Sequence, residues 1–124
     1  RGSSCNFWAL FDEKPAFVGA TVHLLSVGLD NGPALFHVRP RYEGQSPFAF
    51  TMGSVKEAQV RIVNEISTGE LFDYQPIVLD ASQEIRYTRN RDFTDEVAAD
   101  FMGRDYSPSR MRELLDAEHQ PEIL

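Results

Sequence analysis

The sequence predicts an α+β domain: an antiparallel sheet of about five to six strands, packed by one longer central helix, with two short helices closing the chain. Three observations predict it. Short apolar or alternating runs separated by turn signals recur through the first half. A capped, helix-periodic stretch occupies the middle. Two further helix-start signals lie close together near the end. With 124 residues, 42% apolar and 11% aromatic, the chain has room for one domain with one real core. That domain is expected over residues 7–119. Residues 1–6, opening Arg1-Gly2-Ser3-Ser4, read as a flexible start or a cloning remnant, and residues 120–124 as a frayed tail.

Phe7-Trp8-Ala9-Leu10-Phe11 is short, aromatic and apolar at every position, which suits a buried strand. Ala16–Leu29 and Ala34–Tyr42 flank Asp30-Asn31-Gly32-Pro33, a turn sequence because Asn and Gly tolerate positive φ. With Asn31-Gly32 as a two-residue turn, Val27 faces Phe36 and Leu25 faces Val38, on one face with His23 and Pro40. The other, wetter face carries Val22, Leu24, Ser26, His37, Arg39 and Arg41. Pro40 cannot donate to a ladder, so the return strand is an edge there or ends there. Phe48-Ala49-Phe50-Thr51-Met52 alternates as a strand that Gly53 breaks.

Ser54-Val55-Lys56-Glu57 matches a capping box that starts the central helix. Val55, Ala58, Ile62 and Ile66, with Gln59 and Val63, form its stripe, and Gly69 stops it. The rival is a strand through Gln59-Val60-Arg61-Ile62; the cap favours the helix. Leu71–Leu79, interrupted by Pro76, and Glu84–Thr88 read as two more strands, turned at Asp80-Ala81-Ser82. A short helix begins near Thr94 and stops at Gly103. Ser107-Pro108 opens the last helix, with Ser as cap and Pro at the first helical position. Met111, Leu114 and Leu115 form its apolar side.

The net charge of −7 argues against a whole-domain grip on nucleic acid or anionic lipid. One cysteine, Cys5, permits no internal disulfide and suits an intracellular, cytoplasmic protein. No apolar run approaches the ~20 residues of a membrane span, so no membrane partner is expected. No phosphate loop, nucleophile elbow or metal-ligand spacing occurs, so no cofactor or metal is expected. His23 and His37 fall on opposite faces in the register above, and His119 lies near the tail. Among the 19 carboxylates, Asp12-Glu13 reads as a turn, while Asp92, Asp95 and Glu96 read as helix-start residues.

The unusual feature is a bias of 10 arginines to two lysines among the 12 basic residues. His37, Arg39 and Arg41 alternate along one strand. Arg86, Arg89 and Arg91 lie on or after another. If those strands are neighbours, five arginines meet in a patch for an anion, a nucleic acid or an acidic partner. The leading functional expectation is a non-enzymatic interaction or regulatory protein that binds another protein, or itself as a dimer, through a sheet face or edge. The alternative is a small-ligand site or enzyme pocket between sheet and helix, lined by His23, Phe48, Phe50 and Tyr74. The second alternative is nucleic-acid binding through the arginine patch.

Overall fold

The structure is a computed structural model and describes residues 4–28, 32–78, 82 and 86–117. It contains helix α1 (Cys5–Phe11), strands β1 (Ala20–His23) and β2 (Ala34–Val38), helix α2 (Pro47–Thr68), and helices α3 (Asp95–Met102) and α4 (Pro108–Ala117). Short 3₁₀ turns lie at Pro15–Phe17, Glu70–Asp73 and Asn90–Asp92. The expected sheet of five to six strands is therefore corrected: the described residues form a two-stranded antiparallel sheet with four α-helices.

Two of the expected strands are helical. Phe7–Phe11 lies in α1, which buries Trp8 and Leu10. A short run that is apolar on every side fits a buried helix as well as a buried strand, and packing decides between them. Here Phe7 touches Phe93 and Phe101, with ring centroids 4.7 and 4.9 Å apart, a grip that helical spacing allows. Distant residues satisfy carbonyls at the end of this helix. Arg104 Nη1 donates to the Phe11 carbonyl, and the Tyr106 hydroxyl donates to the Leu10 carbonyl at 2.9 Å. Arg110 reaches Glu13, just beyond, at 3.4 Å.

Phe48–Met52 is the first part of α2. The helix begins at Ser46, whose hydroxyl accepts from the Ala49 amide at 3.2 Å, with Pro47 at the first helical position. Ser54 is fully buried inside the helix. It donates to the Thr51 carbonyl at 2.7 Å and accepts from Asn6 Nδ2 at 3.1 Å. Gly53 does not break the helix. It lets α2 pass close to Pro40, whose Cβ would lie 3.2 Å from an added Cβ. The expected stop holds: Gly69 adopts φ +80° and its amide donates to the Ile66 carbonyl.

The hairpin is present, but its register moves. Val22 faces Phe36, Ala20 faces Val38 and Thr21 faces His37, with an irregularity between Val22 and His23. Asp30 and Asn31 lie outside the described residues. The connection is longer than two residues, because the Leu24 amide still pairs with the Pro33 carbonyl at 2.9 Å. This register sets Ala20 and Val22 beside Phe36, Val38 and Ala58 in one core cluster, while Leu25 and Val27 project into solvent. Phe36 and Val38 face the core as expected; Val22 joins them instead of facing water. The strands are also shorter than expected, since Pro15–Phe17 turns and β2 ends at Val38.

The expected strand at Leu71–Leu79 reduces to the turn Glu70–Asp73 and one isolated bridge. In that bridge, Ala34 and Ile77 exchange both backbone hydrogen bonds at 2.8 Å. Neighbouring Pro76 has no amide to extend it. Leu79, Asp80, Ala81, Glu84 and Ile85 lie outside the described residues, and Arg86–Thr88 form no strand. The α3 and α4 starts lie at Thr94, which caps the Val97 amide at 3.3 Å, and at Ser107-Pro108.

Among the described residues, two core clusters hold the fold together. Leu10, Val18, Phe50 and Met111 form one, and Phe36, Val38 and Ala58 form the other. α2 enters both, through Phe50 and Ala58, and is the spine of the molecule.

Candidate functional site

The arginines singled out from the sequence have separate settings. His37 Nδ1 lies 2.6 Å from Thr21 Oγ1 across the sheet. Arg39 is partly desolvated just past β2, and burial lowers the pKa of its guanidinium. The exposed Arg41 offers its carbonyl to Gln45 Nε2 at 2.8 Å. Arg86 is held by α1: it makes a two-pronged ion pair with Asp12 and lies over the Trp8 ring at 4.7 Å. The Asp12 carboxylate raises its pKa further. Arg89 and Arg91 are exposed at the turn Asn90–Asp92, where the Arg89 amide donates to Asp92 Oδ2 at 2.7 Å. Arg86, Arg89 and Arg91 sit on no described strand, so the strand pairing that would bring them beside Arg39 and Arg41 is absent among the described residues. Asp12, read from sequence as a turn residue, is the anchor of Arg86.

The four pocket candidates are also dispersed. Phe50 is buried in the first cluster, Tyr74 packs on Phe36 beside the second, and Phe48 is 73% exposed. His23 Nδ1 lies 2.9 Å from the carbonyl of its neighbour Leu24. Among the described residues, no three His, Cys, Asp or Glu side chains gather as metal ligands. No described helix is long and apolar enough to cross a membrane.

A polar lock that sequence reasoning missed lies on the inner side of α2. Arg61 stacks on Phe36 at 4.1 Å and donates to Glu65 Oε1 at 2.7 Å and to the Tyr74 hydroxyl at 2.6 Å. Tyr74 donates in turn to the same Glu65 oxygen at 2.7 Å. Burial alone would push the Glu65 carboxyl upward, but the bonds from Arg61 and Tyr74 outweigh it and hold the pKa below the usual carboxylate range. The spacing of Arg61 and Glu65 on one helix was the legible signal. The geometry serves to fix α2 against the segment after it.

The outer side of α2 is different in kind. Phe48, Met52, Val55, Gln59, Val63 and Ile66 follow one another at steps of three or four residues and form a straight line along the helix. All are exposed, Val63 by 63% and Ile66 by 53%. This line lies about 130° around the axis from the buried line of Phe50, Ser54, Ala58 and Glu65. The apolar stripe expected from the sequence therefore divides: Ala58 goes to the core, Ile62 is half-buried, and Val55, Val63 and Ile66 face solvent. Phe48 and Met52, expected to share one strand face with Phe50, part from it and extend the outer line. It carries no charged residue. Comparison with protein-family models, curated proteins and solved structures finds no match for this chain.

Proposed function

We propose that this chain is a non-enzymatic interaction module and that the outer face of α2 is its docking surface. The observation that carries the reading is the uncharged line from Phe48 to Ile66, exposed on a helix whose opposite face is anchored in both core clusters. An exposed apolar row of this extent lies toward the upper end of what monomeric proteins carry, and such patches are often sites of association. The platform is rigid: Ser46 and Gly69 cap its two ends, and Arg61, Glu65 and Tyr74 tie its second half to the following segment. A partner would therefore meet a preformed surface with little ordering left to do. This reading moves the interaction site from the sheet to the helix. A cytoplasmic setting accords with the free, exposed thiol of Cys5.

A photo-reactive side chain at Val63 tests the proposal against a control at Asn64, one step around the helix. In the source cell, a discrete adduct is expected from position 63 and not from position 64. Equal labelling at both positions, or none at either, overturns the reading.

A further inference from the structure

Resting on the interaction-module reading, we propose that the occupant of this face is α2 of a second copy, running antiparallel, with the two-fold axis at Gln59. From Met52 to Ile66 the outer line is symmetric about that residue, and Phe48 lies beyond the symmetric stretch. Met52 and Ile66 stand seven residues to either side, and Val55 and Val63 stand four. An antiparallel pair centred there sets Met52 of each copy against Ile66 of the other, Val55 against Val63, and Gln59 against Gln59. A carboxamide carries both donors and an acceptor, so Gln59 pairs with its own copy. Against a wholly apolar partner, the same side chain would lose its water contacts without replacement. A lone polar residue in an apolar seam fixes register in this way.

Charge and size agree with the pairing. The charged residues of α2 are Lys56, Glu57, Arg61 and Glu65, which sum to zero. Two copies of this acidic chain can therefore meet here without concentrating their net charge of −7 each. Antiparallel packing sets Met52 against Ile66, side chains of similar volume, at both ends of the paired stretch. It also opposes the two helix dipoles. The line exposes on the order of 500 Å² of apolar surface per copy, so a pair buries at most about 1,000 Å², the size of a weak, reversible interface.

The test is sedimentation of the full chain over roughly 1 to 100 μM, the range suited to an interface of that size. The expected result is a monomer–dimer equilibrium for the wild type and monomers for Val63→Glu, with unchanged helix content. Gln59→Lys and Gln59→Glu are each expected to be monomeric alone, and to form a heterodimer when mixed. A wild type that stays monomeric throughout, or a dimer indifferent to Gln59→Lys, overturns the pairing. Direction is read with Cys5→Ser as background: Met52→Cys mixed with Ile66→Cys should form the disulfide, whereas Met52→Cys alone should not, and the reverse result overturns the antiparallel arrangement. A monomeric wild type that still gives a Val63-specific adduct to another protein defeats self-pairing alone; a monomer with no adduct defeats both readings.

Discussion

Glu65 shows how far a single side chain depends on its surroundings. Its carboxylate is buried, and it keeps its charge because Arg61 and Tyr74 both donate to Oε1. Its folded pKa is lowered, so its stabilising contribution is complete above the unfolded value of about 4.3 and disappears as pH falls through the lower, folded value. Thermal midpoints followed from about pH 7 to about pH 3 should drop over the acid end of that range, and Glu65→Gln should flatten that acid limb. Tyr74→Phe removes one donor to a buried charge and should lower stability by about 1–3 kcal/mol in urea unfolding. The Arg61–Glu65 half of this lock was readable, because residues four apart meet on a helix. Tyr74 was not, because only the turn at Glu70–Asp73 brings it back against α2.

Among the elements, the helix ends were the most legible and the short aromatic runs the least. Thr94, Gly103, Ser107-Pro108 and Gly69 act where chemistry places them, since caps depend on local backbone geometry. The capping-box signal at Ser54 falls eight residues after the cap that α2 uses, Ser46. Ser46-Pro47 carries the same signal as Ser107-Pro108, but the alternation of Phe48, Phe50 and Met52 suggested a strand and made Ser54 look like the cap. Phe50 lies in the core and the other two in the outer line, a split that a helix makes and an alternating strand cannot. Ser46→Ala should cost about 1 kcal/mol and speed hydrogen exchange at the Ala49 amide. Unchanged protection at that amide would place the functional cap elsewhere. The extra strands failed for a related reason: strand-like runs of five to nine residues need a neighbour to pair with, and pairing is a property of the fold rather than of the run.

For the molecule as a whole, the acidic α+β character and the long central helix were legible, and the sheet was overstated. The two core clusters explain why few strands suffice. α2 joins them, so burial comes from helix packed on hairpin and on the chain ends rather than from stacked strands. Phe36→Ala and Phe50→Ala, one in each cluster, should each cost about 3–5 kcal/mol in chemical unfolding. Phe36→Ala should lie at the upper end because it also removes the ring beneath Arg61. The double variant should then be largely unfolded, since domains of this size have about 5–15 kcal/mol in total. A double variant with two separate transitions would mean that the clusters fold independently.

The end of α1 carries a consequence for how the chain reaches this state. Residues 10–13 are held by Arg86, Arg104, Tyr106 and Arg110, partners 74 to 97 positions away. During synthesis α1 therefore emerges long before the side chains that close its end, and at seven residues it is too short to persist alone. Its closure must wait until residues 86–110 have emerged. Loss of residues 86–110 removes the ties at the end of α1 and leaves those that Asn6 makes to Gly19 and Ser54.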